Sequence, residues 1–360
     1  MTGSGGDGPG ERAVIVGTGL IGGSIGLALR ARGWHVTGRD LDPARSARAV
    51  EVGALDRVGD DPAADVTFVC TPVLTIAAEA RAALAAGPGL VTDVGSVKGP
   101  VTAAVADSRF VGGHPMAGSE QDGVDGADAT LFEGATWVLT PTVDTDPRAF
   151  AAIRTVVTSL GADVVALPPE RHDELVALVS HVPHLAAATL MALAADGAEE
   201  HAAVLRLAAG GFRDMTRVAA GSPAIWPDIC AENRDAIVAS LDRLVGALAG
   251  MRDLVAAGDR SGLLVELERA RAARVNLPGR VPVPEELAEV RVPVPDRPGV
   301  LAEVTTLLGE LGVNIVDLEI AHSVEGLQGV LVMVVRREAA DDVRAALGER
   351  GYRPSARVLT

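Results

Sequence analysis

The residues best placed to do chemistry begin with three glycines in a G-x-G-x-x-G run, Gly17, Gly19 and Gly22. They follow the apolar stretch Ala13 to Val16 and open an apolar-periodic helix whose first residues are Leu20 and Ile21. A second strand-like run, "WHVTGRD", ends at Asp40, 18 residues beyond Gly22. In this order Gly17 makes the tight turn, Gly19 lets a pyrophosphate approach the backbone at a helix N-terminus, and Gly22 gives helix and strand room to pack. Asp40 would take the ribose hydroxyls and repel a 2′-phosphate, so NAD is the expected cofactor. Arg39 beside it leaves some NADP use open.

The remaining candidates fall at the ends of later strand-like runs. "ADVTFVCTPV" ends on Thr71 and Pro72, over the expected cofactor. "VTDVGSVKGP" carries Ser96 and Lys98, the chain's single lysine, and "RFVGGHPMAGSE" carries His114. Loops at the carboxyl ends of strands line the site of a doubly wound sheet, which places Ser96, Lys98 and His114 around the nicotinamide. The later helical stretch has no lysine to act as acid or base, so a histidine is the better base, and His114 is the best placed. Arg213 and Arg217, four apart on one helix face, suit carboxylates. His181 and His184 sit three apart around Pro183, with no third ligand at metal spacing, so no metal is expected. A substrate-facing histidine at the proline kink fits that pattern better.

These residues need a scaffold, and the composition permits one. The 360 residues are 48% apolar but only 2% aromatic, with a net charge of −16 and no long basic run, which disfavours nucleic acid. The bias toward Ala, Gly and Arg accounts for part of the scarcity of lysine. Cys70 and Cys230 make no disulfide framework, which predicts a reducing compartment. Residues 1–10 read as a Gly-rich lead-in without the features of a signal peptide. The run "LAAATLMALAA" is too short to span a bilayer, so a cytoplasmic protein away from membranes is expected. βα alternation predicts a Rossmann-type α/β domain over residues 11–168. A helical domain for substrate binding and dimerisation follows over 169–275, giving an expected homodimer. A proline-rich linker covers 276–287. Residues 288–360 read as βαββαβ, the ferredoxin-like order. "DRPGVLAEVTTLLGELGVNI" in that segment resembles an ACT domain, which implies a small effector near Gly312 and Asn314.

With "GSVK", "GGHPMAGSE", "SHVPH", "GGFRDMTR" and "WPDICAEN" in one order behind the dinucleotide motif, the chain resembles bacterial prephenate dehydrogenases of tyrosine biosynthesis. It is similar to the form with a C-terminal ACT domain, from about residue 11 to the C-terminus. The resemblance implies NAD-dependent oxidative decarboxylation of prephenate to 4-hydroxyphenylpyruvate. His114 would accept the ring hydroxyl proton and Ser96 would orient His114. Arg217 would hold the ring carboxylate, and His184 would position the substrate. Ser119 and Glu120 would shape the pocket, with Trp226 near its mouth. Arg213 stands where related sequences carry lysine, and Lys98 would sit beside cofactor or substrate anions. Arogenate dehydrogenase, the same reaction on the amino form of the side chain, stays open as the alternative, and a non-catalytic sensor of NAD and amino acids as a remote one. An aromatic amino acid, tyrosine by pathway logic, is the implied effector.

Overall fold

The computed structural model describes residues 11–118, 121–200, 204–276, 287–295, 297, 299–322 and 328–358. The chain divides into two compact units, Met1–Ala249 and Gly250–Thr360.

The first unit is built on strands β1 (Arg12–Val16), β2 (His35–Arg39), β3 (Arg57–Val58), β4 (Val66–Val69), β5 (Leu90–Asp93), β6 (Phe110–Pro115), β7 (Thr136–Thr140) and β8 (Asp163–Ala166). They form one sheet in the order β3-β2-β1-β4-β5-β6-β7-β8. Short, almost wholly apolar runs such as Ala13 to Val16 are what a sheet covered on both faces demands, and those four residues are buried. The covering helices are α1 (Leu20–Arg30), α2 (Pro43–Glu51), α3 (Val73–Ala86), α4 (Gly99–Ala104) and α5 (Pro147–Ser159). One apolar layer gathers Ile15, Ile25, Phe68, Trp137 and Ile153, and another Val69, Ile76, Val91, Val101 and Phe110. Strand order reverses between β1 and β4, where such sheets open a crevice. Every pairing is parallel except β6 with β7, where Gly113 faces Leu139 and His114 faces Val138. Neither that antiparallel pair nor the two-residue β3 is legible in the sequence pattern.

The helical part begins with α6 (Pro169–Val176), runs through a π-helical turn at Ala177–His181 and continues as α7 (Val182–Glu200). Pro183 lacks the N–H that would extend the ladder, and the helix answers with this wider turn just before it. The sequence predicted a kink at Pro183; the irregularity is the π turn that precedes it. Helices α8 (Gly210–Thr216), α9 (Trp226–Glu232) and α10 (Arg234–Ala257) follow, and the division between the units falls inside α10. An 18-residue window within Pro169–Ala198 has a mean hydropathy of 1.6, so this helix passes a bilayer-span test by length and composition only, as core helices also do.

The second unit holds α11 (Arg260–Val275), β9 (Leu287–Pro295), α12 (Val300–Glu310), β10 (Ile315–His322), β11 (Gln328–Arg336), α13 (Ala340–Glu349) and β12 (Ser355–Val358). Its sheet, in the order β10-β11-β9-β12, is antiparallel throughout. Val290, Val292, Met333 and Val335 point inward from it onto Val304, Leu308, Val343 and Leu347 of the two later helices. This is the expected ferredoxin-like ACT order. Most of the expected linker lies outside the described residues.

Candidate active site

The glycine turn fits a dinucleotide. Gly17 adopts φ +94°, and a Cβ there would come within 2.6 Å of the Cys70 carbonyl oxygen. Gly22 is tighter, with a Cβ 2.0 Å from the Gly17 carbonyl oxygen. Gly19, the extended N-cap of α1, has open space where its side chain would be. The free N–H groups of the helix's first turn therefore begin beside a gap that an anion can enter. The buried Thr71 hydroxyl at the end of β4 has no hydrogen-bond partner among the described residues, which suits a polar ligand there. At the end of β2, Asp40 accepts from the Thr18 N–H at 2.8 Å and the Asp42 N–H at 3.1 Å. Arg39 faces elsewhere: its guanidinium binds Asp60 at 2.8 Å and Glu79 at 2.6 Å. It is not offered to a 2′-phosphate, which removes the ground for expecting NADP use.

His114 ends a chain of three side chains. His114, at the end of β6, has its Nδ1 2.9 Å from Nε2 of His172 in α6. Nδ1 of His172 lies 2.7 Å from Oδ1 of Asp173. The same carboxylate accepts the backbone N–H groups of Lys98 and Gly99, each at 2.8 Å. A carboxylate so placed only accepts, so His172 carries its proton on Nδ1 and presents a lone pair at Nε2. His114 must then donate through Nδ1, which leaves its Nε2 lone pair free to take a proton. Burial holds the His114 imidazole well below its ordinary 6.5, and His172, Lys98 and His181 push the same way. The imidazole is therefore neutral at physiological pH.

His172 and Asp173 were not read from the sequence. Their signal was the adjacent His-Asp pair in the first helix after β8. The expected orienting contact from Ser96 is not present: among the described residues Ser96 makes no hydrogen bond, and His172 is the partner of His114. Lys98 is also corrected. Its side chain is wholly buried, paired with Asp93 and 2.8 Å from the Gly113 carbonyl oxygen, out of reach of a ligand anion.

On the helical side Asn233, 5% exposed, donates from Nδ2 to the Asp173 carbonyl at 2.9 Å and lies 3.3 Å from Nδ1 of His181. That contact leaves the His181 proton on Nε2, which is buried and unpartnered among the described residues. Burial brings the His181 imidazole down to about 4. The His184 ring stacks on Trp226 with centroids 3.7 Å apart and planes 13° apart. The turn after Arg217 closes on this stack, since a Cβ at Gly221 would stand 4.0 Å from His184 Cε1. Arg217 and Arg213 are both exposed, and the Arg213 side chain caps the Ala208 carbonyl at 3.3 Å. Ser119 and Glu120 lie outside the described residues.

Comparison with known proteins shows the family. Residues 25–166 match the family model of the prephenate dehydrogenase nucleotide-binding domain, residues 168–269 that of the prephenate dehydrogenase dimerization domain, and residues 288–351 the ACT domain. The chain is 34% identical to prephenate dehydrogenase of Bacillus subtilis over 340 residues, 89% of this chain and 91% of that one. A solved prephenate dehydrogenase from A. aeolicus, in complex with hydroxyphenyl propionate and NAD+, superposes with a TM-score of 0.70 at 30% identity, covering 75% of this chain and 99% of the other. Synechocystis arogenate dehydrogenase does so with a TM-score of 0.64 at 33% identity, covering 73% and 98%. With these matches over both the nucleotide-binding and the dimerization domain, the chain belongs to the prephenate dehydrogenase family.

Proposed function

We propose that this chain oxidises prephenate with NAD and releases the ring carboxylate as CO2, giving 4-hydroxyphenylpyruvate. The observation that carries this reading is the hydrogen-bond chain from His114 Nδ1 through His172 to Asp173, which leaves Nε2 of His114 as the proton acceptor. The nicotinamide, when bound, supplies the hydride acceptor. The chain's own part is alignment and proton handling. As the ring C4 hydroxyl becomes a carbonyl, its proton passes to His114 Nε2. His172 and Asp173 then stabilise the imidazolium through the hydrogen bonds that oriented the neutral ring. The bond from the ring to its carboxylate breaks, its electrons complete the aromatic ring and pass to the C4 oxygen, and the proton held on His114 Nε2 returns to that oxygen to give the phenol. Arg217 is the cation for the carboxylate, and the His184–Trp226 stack is the wall against which the substrate ring is positioned. Ser96, Ser119, Glu120 and Arg213 complete the pocket in this reading. Cofactor contacts fall to Gly17 through Gly22, Asp40, Thr71 and Pro72.

Likeness to an arogenate dehydrogenase supports a second reading, in which the substrate carries an amino group on its side chain. Initial rates of NADH formation with each compound offered alone separate the two. A preference for arogenate overturns the first reading but leaves the base and cofactor site in place.

The active form in this reading is a cytoplasmic homodimer. In the helical part Leu193, Leu207, Met215, Val245 and Leu248 are each more than half exposed. Such an apolar surface is costly in water, and a second copy of the dimerization domain is the natural cover. Asp173, His172 and His181 lie within Pro169–Ala198, bonded into the site, which argues against that helix crossing a bilayer. Light scattering of the purified chain tests the dimer. In the second unit Gly312, at φ +68° with open space around it, and the exposed Asn314 form the proposed effector contact, with tyrosine as ligand. Saturating tyrosine that moved neither the rate nor the melting temperature would remove that assignment.

A further inference from the structure

Lys98 does more than fill space. Its side chain is 0% exposed, as is that of its ion-pair partner Asp93. The ammonium meets Asp93 Oδ2 and also donates to the Gly113 carbonyl at 2.8 Å. Asp93 Oδ1 accepts the Gly113 N–H at 3.0 Å, and Oδ2 accepts the Gly95 N–H at 2.9 Å. Both backbone polar groups of Gly113 are therefore held by the pair, and Gly113 is the residue before His114. The backbone N–H of Lys98 reaches the other end of the histidine chain, at Asp173. One residue thus touches the peptide that carries the base and the carboxylate that orients it.

A buried ion pair is a poor device for stability alone, because desolvation offsets most of the attraction. The slot is also narrow. A Cβ at Gly113 would lie 2.6 Å from the Asp93 carbonyl oxygen, and one at Gly112 3.5 Å from Lys98 Cδ. A linear chain ending in a point charge fits there, where a planar guanidinium would displace the strand.

We propose that Lys98 is a positioning residue for the base: anchored on Asp93, it pins the Gly113–His114 peptide by holding its carbonyl. The proposal rests on the reading of His114 as the base. Burial is the main cause of the ring's depressed affinity for protons, and His172 and Lys98 push the same way.

The test compares the parent with Lys98→Met and with Asp93→Asn/Lys98→Met, the second of which leaves no uncompensated charge if the first fails to fold. The His114 ring is titrated by NMR in nitrogen-labelled protein without substrate, NAD affinity is measured by calorimetry, and the pH profile of kcat/KM is recorded. Expected is a rise in the His114 titration midpoint in Lys98→Met, the same displacement in the acid limb of kcat/KM, a lower kcat in both variants, and unchanged NAD affinity. A lower melting temperature with an unmoved His114 titration would reduce Lys98 to a purely structural role and overturn the proposal. Loss of NAD affinity with an unmoved titration would make it a cofactor contact and also overturn it. If the parent turned over neither prephenate nor arogenate, the substrate reading would fall, while the ring titration would still decide the role of Lys98.

Discussion

Nδ1 of His114 stands 2.9 Å from Nε2 of His172, and the Asp173 carboxylate 2.7 Å beyond fixes which nitrogen of each ring carries the proton. A His172→Phe variant keeps an aromatic ring in the buried position but removes both nitrogens. It should lower kcat by about 100-fold while leaving NAD affinity intact. A parental kcat would show that the chain of hydrogen bonds contributes nothing to the base.

The pH profile follows from the same burial. His114 acts in its neutral form, and its folded affinity for protons is depressed. The acid limb of kcat/KM should therefore have its midpoint below 6.5, with activity lost as pH falls through the depressed value. A midpoint above 6.5 would contradict the buried base.

Stability should carry the same signature. His181 is brought from 6.5 to about 4 by burial. A group with a depressed folded pKa contributes stability that is present above 6.5 and lost as pH falls toward 4, because the unfolded chain takes up its proton first. The loss is on the order of 3 kcal/mol at most. Urea titrations across that window should show it, and a His181→Asn variant should flatten the dependence. An unchanged slope in the variant would mean other groups set it.

Two glycine variants should behave differently. Gly22→Ala would put a Cβ 2.0 Å from a backbone oxygen, so both folding and NAD binding should suffer. Gly19→Ala meets nothing within 4 Å in the protein itself. It should melt like the parent yet bind NAD more weakly, since the added methyl occupies the approach to the helix N-terminus. Parental NAD affinity in Gly19→Ala would remove the pyrophosphate from that place.

Cofactor choice rests on Asp40 and on what occupies Arg39. Because Arg39 is held by Asp60 and Glu79, Asp40→Ser alone should weaken NAD use without giving efficient NADP use. Adding Asp60→Asn and Glu79→Gln should free the guanidinium and raise NADP turnover. Efficient NADP turnover by Asp40→Ser alone would show that Arg39 is not held in solution.

Much of this was legible in the residues. Gly17, Gly19, Gly22 and Asp40 announced the first βαβ unit because backbone approach and ribose recognition need those types at that spacing. The place of His114 was readable because it ends a strand-like run on the cofactor side. The rest depended on tertiary contacts that leave no period in the sequence. His172 and Asp173 look like an ordinary helix start until α6 is folded against β6. Lys98 was expected at a ligand, but its loop turns inward and the ammonium meets Asp93, five residues away in sequence but ending the strand beneath it. The π turn at Ala177–His181 was visible only as Pro183, whose effect on the ladder depends on how the flanking helices pack.

The most direct test is the initial rate of NADH formation from prephenate by the parent and by His114→Asn, with NAD affinity measured on both. Expected is clear turnover by the parent and a loss of about 1,000-fold in kcat in the variant, at unchanged NAD affinity. Turnover by His114→Asn at the parental rate would contradict the assignment of His114 as the base.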